Sequence, residues 1–506
     1  SNDLVYQSDS VDEKGSYGPF NNTFRLNFSS LRSPGKYYIK VNNIKSDVFK
    51  IDKGVYDGAA DYLLKYMRQQ RCGFNPYLNE KCHTNDGFIV YHPTKSRQYI
   101  DVTGGWHDAT DYLQYTTTSA NAIYQMSLAY DDNPNAFDDL YSANGLPGAN
   151  KIPDVVDEIK FGVDWLLKMN PNTDEYYNQI ADDRDHIGYR LPHDDKVVYD
   201  TLLNGRPVYF INGEKQGLGK YKNRSTGKAS TVAKFASSYA KTSKILNKYY
   251  PSLSKKLELK AIEAYNYAKK HPGVSQTAPH KAPYYYEEDN WIDDMELAAA
   301  SIYEMTSNIQ FKKDAISYAE QEKISPWIGK DTIRHYQYYP FVNSGHYQGA
   351  KLFDLESKNK ISEYYKEGLE ILFQKGKDNP FLFGIPFIWC SNNYVASTIT
   401  QSKYYYKLTG DEKYQEMEAS LRDWLFGCNI WGKSMIVDLP SSNKSSQKPH
   451  SSLNILNGFQ TSGGLVDGPV YGSIFNSLIG IELYDEDELK DFQSDLVVYH
   501  DDAGDY

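Results

Sequence analysis

The chain has 506 residues, enough for one large domain and a smaller one, because domains usually hold about 100–200 residues. Asp and Glu number 66 against 55 Lys and Arg, and this net charge of −11 argues against a nucleic acid partner, whose phosphates would be repelled. The 40% hydrophobic and 24% charged content excludes wholesale disorder, and no apolar run approaches the ~20 residues of a membrane-spanning helix.

Tyrosine is unusually frequent, with 46 residues, and aromatic residues together make up 15% of the chain. Two explanations are open. Tyrosine rings can fill the interfaces between helices, or they can line a cleft that holds a neutral, hydroxyl-rich ligand by stacking and hydrogen bonding.

Residues 1–53 differ from the rest of the chain. Apolar and polar residues alternate over residues 24–28 and 37–41, and less strictly over 46–51, with a turn at Ser33, Pro34 and Gly35. This pattern predicts antiparallel strands. Three or four strands are too few for an independent sandwich, so the segment is either part of a larger β module or leans on the next domain.

From Tyr56 onward the hydrophobic period becomes helical, and Pro153 and Asp154 open the clearest helix. We predict one mainly α domain over residues 54–506, a helical barrel whose site is built from loops at one end. No fixed-period repeat is present, which argues against a solenoid. About twelve helices are predicted, beginning near Tyr56, Thr116, Pro153, Lys228, Ser252, Asp294, Phe311, Tyr347, Ser362, Ala396, Asp411 and Val470.

The most informative segment runs from Gly104 to Tyr112 and reads GGWHDATDY. Asp108 and Asp111 are three residues apart, a spacing that places both carboxylates on one side of a helical turn. Two like charges this close are unfavourable unless both bind a water, a metal or a sugar hydroxyl. The alternative is that Asp108 caps the N-terminus of a helix.

Two cysteines and two histidines form a second group, Cys72, Cys82, His83 and His107. Two thiolates and two imidazoles suit a structural zinc ion, which would hold the loop that carries the aspartates. A catalytic zinc is less consistent with this set, because four protein ligands leave no position for water. The alternative is two free buried cysteines and two surface histidines.

The segment from Gly104 to Tyr112 closely resembles the aspartate-pair motif of glycoside hydrolase family 9, the inverting β-glucanases. The resemblance covers roughly residues 35–506. It implies an (α/α)6 barrel behind an immunoglobulin-like β module, of which residues 1–53 would be the tail. Further similar segments are 69–73, 153–158, 164–169, 290–298, 426–429, 449–450 and 464–469.

The resemblance also implies roles for individual residues. Asp111 matches the general base, and Asp108 matches the residue that helps hold the attacking water. His450 matches a histidine that contacts the sugar near the cleavage point, although Ser451 follows it where the family often has a second histidine. A plain surface histidine is the alternative. The remaining implied residues are Trp106 and Tyr112 for substrate binding, and Asp293 and Asp294 for calcium.

Residues 499–506 resemble the run that leads into the catalytic acid of the family, a glutamate a few residues further on. We therefore expect the general acid beyond Tyr506, since Glu482, Glu486 and Glu488 have the character of surface charge.

The predicted activity is endo-acting, inverting hydrolysis of a β-1,4-glucan polysaccharide or oligosaccharide, of the cellulose, mixed-linkage or xyloglucan type. The resemblance further implies a secreted, periplasmic or cell-surface protein. The alternative function is a catalytically impaired glycan-binding protein that uses the same aromatic cleft.

Overall fold

The computed structural model describes residues 3–282, 286, 288–325, 327–328, 343–478 and 481–505. Before the first helix, six short strands pair antiparallel as β1–β2, β3–β6 and β4–β5, which confirms the predicted antiparallel pairing. The bounds differ, since β2 covers only the first two residues of the strand predicted over 24–28, and β6 only the last three of 46–51. The predicted strand over 37–41 is divided between β3 and β4, and β1 was not predicted because its polar sequence does not alternate. The strands are β1 Asp12–Tyr17, β2 Phe20–Arg25, β3 Gly35–Tyr37, β4 Lys40–Val41, β5 Ile44–Lys45 and β6 Phe49–Ile51.

The β1–β2 hairpin packs against the helical domain. The rings of Tyr17 and Phe381 lie 5.6 Å apart between centroids, and Arg25 forms a 2.9 Å ion pair with Glu416. Arg25 also donates a 2.6 Å hydrogen bond to the carbonyl of Pro380. These strands therefore lean on the next domain, as one of the two predicted arrangements requires.

Thirteen α-helices follow in the described residues, close to the number predicted. They are α1 Ala59–Gln69, α2 Thr116–Asp132, α3 Asp154–Met169, α4 Ala229–Leu246, α5 Pro251–Lys270, α6 Ile292–Thr306, α7 Ile309–Gln321, α8 Ser344–Ala350, α9 Leu355–Gly376, α10 Ser391–Thr409, α11 Gln415–Leu425, α12 Ser452–Asn457 and α13 Gly472–Phe475.

The predicted helix starts are wrong by several residues in places. Helix α9 begins at Leu355 rather than near Ser362, because the Asp354 carboxylate caps it by accepting a 3.0 Å bond from the Ser357 amide. Helix α10 begins five residues before the predicted Ala396. Helix α12 was not predicted, since six residues are too few for a clear hydrophobic period.

Consecutive helices pack in pairs around a shared core. Helix α4 is rich in Ala and Ser and buried nearly all round, so its small side chains let α2, α5 and α6 approach closely. A 2.7 Å ion pair between Lys407 and Asp132 joins α10 back to α2, which helps to close the ring. Among the described residues, no helix combines the length and apolar character required to cross a membrane.

Two small β elements lie within the helical domain and position the site. The hairpin of β7 Gly73–Asn75 and β8 Glu80–Cys82 follows α1. A four-stranded sheet has the order β10–β11–β12–β9, and its strand β10 begins three residues after Asp111. The strands of this sheet were not predicted, because each strand has only two to four residues and pairs with strands that are distant in sequence. They are β9 Phe88–Val90, β10 Gln114–Tyr115, β11 Tyr177–Ile180 and β12 Pro207–Phe210.

Candidate active site

The aspartate pair lies on a closed loop instead of the predicted helical turn. The amide of Asp108 donates a 2.8 Å bond to the carbonyl of Leu113, and the amide of Tyr112 donates a 3.2 Å bond to the carbonyl of Ala109. The loop is therefore narrow and fixed by its own backbone. Because no helix begins here, the interpretation of Asp108 as a helix cap is wrong.

The base of this loop is held against the end of α1. The Cys72 amide donates to the Gly105 carbonyl, and the His107 amide donates to the Gln70 carbonyl, each at 2.8 Å. Gly105 has a positive φ of 73°, and a Cβ there would lie 2.6 Å from the ring of Trp165. Glycine is required at this position by both the conformation and the space.

Asp108 is held by two hydroxyl groups. The Tyr286 hydroxyl donates to its Oδ2 at 2.5 Å, and the Thr118 hydroxyl donates to its Oδ1 at 3.3 Å. Burial raises the pKa of Asp108 to about 7, and the nearby charge of Asp111 acts in the same direction, against the Tyr286 hydrogen bond. Asp108 is thus a carboxyl group whose orientation is fixed from two sides.

Asp111 has a different environment. Its Oδ1 accepts a 3.1 Å bond from the Leu113 amide, and its Oδ2 lies 2.6 Å from Nε2 of His186. Although burial alone lowers the pKa of His186, its contact with Asp111 more than offsets this, so the net shift is upward. The contact therefore favours the imidazolium form of His186, which can pair with the Asp111 carboxylate.

Both aspartates face one cavity of about 770 Å³. His450 lies on its wall, where its Nδ1 is 2.7 Å from the Tyr189 hydroxyl and 2.9 Å from the Ala503 carbonyl. The surface-loop interpretation of His450 is therefore incomplete, since the ring is held in place beside the cavity. Further residues around this cavity include Tyr66, Asp185, His186, Arg190, Tyr286, Cys390, Lys448, Asp467 and Tyr499.

Two of the expected substrate-binding residues do not line this cavity. Trp106 is 4% exposed and donates from Nε1 to Glu158 at 2.7 Å in the core. Tyr112 is also 4% exposed, and its hydroxyl donates to the Arg190 carbonyl while its ring packs against His107. Both side chains support the loop from behind, so the expectation that they bind substrate is corrected.

The four predicted zinc ligands converge. Their ligand atoms all lie within 4.8 Å of one another. The Nδ1 of His83 is 3.5 Å from the Cys72 sulfur and 3.3 Å from Nε2 of His107, which is 4.0 Å from the Cys82 sulfur. Ligand atoms around one tetrahedral zinc ion lie about 3.3–3.8 Å apart, so this set fits zinc and does not fit the alternative of unrelated cysteines and surface histidines.

A chain of side chains connects this group to Asp111. The outer nitrogen of His83 lies 3.1 Å from the Asp195 carboxylate, the kind of partner that orients a ligating histidine. Asp195 also accepts a 2.9 Å bond from Nε of Arg190. The guanidinium of Arg190 in turn donates to the carbonyls of Thr110 and Asp111 at 3.3 and 3.4 Å.

The calcium site that the resemblance implies at Asp293 and Asp294 stays a prediction. Lys234 Nζ is 2.7 Å from Asp294 and 2.6 Å from Glu288, so an internal cation lies beside these carboxylates. Burial raises the pKa of Asp293 to about 7, which favours its neutral form. Within the described ranges, the Cys/His group is the one place where three or more ligand atoms converge.

The last described residues border the cavity as well, among them His500 and Asp505. Asp501 and Asp502 accept backbone hydrogen bonds from neighbouring loops, at 2.9 Å from the Gln447 amide and 3.0 Å from the Tyr484 amide. Tyr506 lies outside the described residues. Glu482, Glu486 and Glu488 are exposed, in agreement with their interpretation as surface charge.

Three side chains close to the aspartate pair were given no role from the sequence: His186, Tyr286 and Asp467. They reach the cavity from positions 75 or more residues away from Asp108 and Asp111, and of the three only Asp467 lies in a segment, 464–469, that resembles the family. A signal for His186 was available, because it follows the acidic cluster of residues 182–185 in a long loop.

Comparison with known proteins now decides the family. Residues 56–506 match the model of glycosyl hydrolase family 9, and residues 1–46 match the model of a cellulase N-terminal Ig-like domain. The chain belongs to glycosyl hydrolase family 9. It is therefore a glycoside hydrolase, and the resemblance inferred from its motifs is confirmed.

Characterised relatives of this family 9 hydrolase are distant in sequence. A cellodextrinase of Butyrivibrio fibrisolvens is 23% identical over 453 residues, a match to 85% of this chain and 77% of the relative. A xyloglucan-specific endo-β-1,4-glucanase of Bacteroides ovatus is 25% identical over 483 residues, covering 88% of this chain and 76% of the relative.

Solved structures confirm the (α/α)6 barrel fold and the N-terminal Ig-like strands. A family 9 protein of Bacteroides ovatus has a TM-score of 0.73 at 22% identity, covering 95% of this chain and 88% of its own. A Zn-binding triple mutant of a family 9 endoglucanase has a TM-score of 0.74 at 22% identity, and the match covers 100% of this chain and 90% of the mutant's chain.

Proposed function

We propose that this family 9 hydrolase cleaves internal β-1,4 bonds of a neutral glucan with inversion, and that Asp111 is the general base. The observation that carries the proposal is the 2.6 Å contact of Asp111 with His186 at the wall of the cavity. A cationic neighbour favours the ionised carboxylate, which is the form that can accept a proton from water.

In this mechanism Asp111 accepts a proton from a water molecule as that water attacks the anomeric carbon. Asp108 accepts a second hydrogen bond from the same water, and Tyr286 and Thr118 keep its carboxyl group oriented. Attack from the face opposite the leaving oxygen inverts the configuration, which requires an acid about 6.5–9.5 Å from the base.

The proton donor is proposed to be a glutamate that follows Tyr506, as the family resemblance implies. Its support is the course of the chain, because His500, Asp501, Asp502 and Asp505 line the same cavity as Asp111. Residues that follow this run would enter the cavity on the side where the leaving oxygen needs a proton.

We further propose that Cys72, Cys82, His83 and His107 hold a zinc ion with a structural role. When bound, it would supply a cross-link between the β7–β8 hairpin and the base of the aspartate loop. Activation of water by this metal is not part of the proposal, since all four tetrahedral positions would be taken by protein.

The proposed substrates are cellulose-type, mixed-linkage or xyloglucan chains and their oligosaccharides. The tyrosines at the cavity, Tyr66, Tyr189, Tyr286 and Tyr499, suit a hydroxyl-rich neutral ligand. The names of the relatives agree, since they include a cellodextrinase and a xyloglucan-specific endoglucanase. A secreted, periplasmic or cell-surface location belongs to the same proposal, because these polymers are found outside cells.

The test is turnover by the full-length protein on xyloglucan, mixed-linkage β-glucan and cello-oligosaccharides, followed by release of reducing ends and loss of viscosity. Asp111→Ala is expected to lower kcat by about two to four orders of magnitude, the usual contribution of a positioned base. Asp164→Ala, at an exposed pair with Lys160 on α3, is the matched control and should leave kcat unchanged.

Rapid loss of viscosity relative to reducing ends would support internal cleavage. Binding of these glucans without turnover would instead favour the glycan-binding alternative. Wild-type rates in the Asp111→Ala variant would show that the base has been assigned to the wrong residue.

A further inference from the structure

We propose that Asp467 is a substrate-binding carboxylate that accepts hydrogen bonds from hydroxyl groups of the sugar beside Asp108. This inference rests on the proposed function and deepens it, because it adds a contact that fixes the sugar at the reacting end of the cavity.

Asp467 and Cys390 lie together on the cavity wall with Asp108 and His450. The Asp467 side chain is accessible from the cavity, whereas Cys390 is 9% exposed. An ionised carboxylate offers about four acceptor positions, which suit the hydroxyl groups of a sugar held in the cavity.

The backbone around Asp467 is rigid. Its carbonyl accepts a 3.1 Å bond from the Asn392 amide, and the Asn392 side chain donates a 2.9 Å bond to the Val466 carbonyl. The Ser391 hydroxyl donates a 2.7 Å bond to the Pro469 carbonyl. The segment is thus tied to the first turn of α10, and a binding group on such a support loses little entropy when a ligand arrives.

The charges that face Asp467 indicate the chemistry of the ligand. Asp108 and Asp505 are carboxylates, and His450 is the nearby basic group at the same wall. Several carboxylates around one space repel an anionic ligand but are satisfied by a neutral sugar, whose adjacent hydroxyl groups are all donors.

The first test is calorimetric binding of cellotetraose in an Asp111→Asn background, in which turnover is blocked. Adding Asp467→Asn keeps the shape but replaces one acceptor oxygen with a donor and removes the charge. The Kd is expected to rise about 10- to 100-fold, the range for losing hydrogen bonds to a charged acceptor. Adding Asp164→Asn at the surface instead should leave the Kd unchanged.

The second test separates ligand binding from structure at Asp467. Because the Asp467 side chain is accessible from the cavity, adding Asp467→Asn should leave the melting temperature of the Asp111→Asn protein unchanged while the Kd for cellotetraose rises. A melting temperature that falls together with affinity would indicate a structural role and would contradict the inference.

An unchanged Kd in Asp467→Asn would overturn the inference while leaving the proposed function in place, provided that the unaltered full-length protein cleaves β-glucans. A protein that neither cleaves these glucans nor binds cellotetraose would overturn both. The two failures are therefore distinguishable by the activity of the unaltered protein.

Discussion

The orientation of Asp111 depends on two contacts of different kinds. The Leu113 amide belongs to the same closed loop and fixes one oxygen, whereas His186 reaches the other oxygen from a distant segment. Losing His186 would leave the loop intact but free the carboxylate to rotate. The role of this histidine can therefore be tested separately from the fold.

We expect His186→Ala to lower kcat about tenfold, within the range that positioning contributes, while KM changes little. The raised pKa of His186 also predicts a pH dependence of stability. Its ion pair contributes fully below the unfolded pKa of about 6.5 and is lost as pH rises through the higher folded value.

Thermal unfolding of the wild type and of His186→Ala tests this predicted pH dependence of stability. The difference in melting temperature should be larger near pH ~6 than near pH ~9. A difference that is equal at both values, or larger at the higher one, would contradict the ion pair.

At the level of residues, short motifs predicted the candidate site residues that lie close together in the sequence. Asp108, Asp111 and the Cys/His group were found because short spacings and adjacent residues carry the signal. His186 and Tyr286 could not be found that way, since they approach the aspartates only after distant segments meet, and the segment 464–469 gave no sign that Asp467 faces the cavity. Trp106 was misassigned because a family motif does not show which of its side chains face the cavity.

Among the structural elements, the β7–β8 hairpin and the aspartate loop share the four candidate zinc ligands. Cys72 and Cys82 flank the hairpin, and His107 directly precedes Asp108. Without a metal these ligand atoms lose their common partner, and the link through His83, Asp195 and Arg190 to the loop weakens. Stability and activity should therefore change together.

We expect metal analysis to give about one zinc per chain, in the four-coordinate arrangement of two sulfur and two nitrogen ligands. Cys82→Ser should lower the melting temperature and reduce kcat about 10- to 100-fold. Cys428→Ser, at an exposed cysteine, is the matched control and should change neither. A zinc-free protein with full stability would contradict the assignment.

Element prediction succeeded where the periodic pattern was long. Helix α3 has a buried apolar stripe through Val155, Ile159, Val163 and Leu166, and its start was predicted correctly at Pro153. The strands of the β10–β11–β12–β9 sheet have at most four residues, too few for alternation to be distinguished from chance. The division of the chain between residues 53 and 54 stays a prediction.

Across the whole molecule, charge favours neutral substrates. The chain carries a net charge of −11, and aspartates at positions 108, 111, 467 and 505 line the cavity. A polysaccharide that bears carboxylates would be repelled both on approach and inside the cavity. Salt should weaken this repulsion by screening it.

We therefore expect kcat/KM on carboxymethylcellulose to rise about tenfold as ionic strength increases, because screening removes an unfavourable steering field. For neutral mixed-linkage β-glucan, kcat/KM should stay constant as ionic strength increases. Steady-state rates across a salt series measure both, and a flat profile for carboxymethylcellulose would contradict the electrostatic argument.

The central claim is that Asp111 directs water to the anomeric carbon in a single displacement, and the configuration of the first product tests it most directly. Proton NMR during early hydrolysis of a β-1,4-linked oligosaccharide by the full-length protein distinguishes the two anomers before they equilibrate. A general base predicts that the α anomer forms first, by inversion. Initial release of the β anomer would mean retention through a covalent intermediate, and would contradict the role of Asp111 as general base.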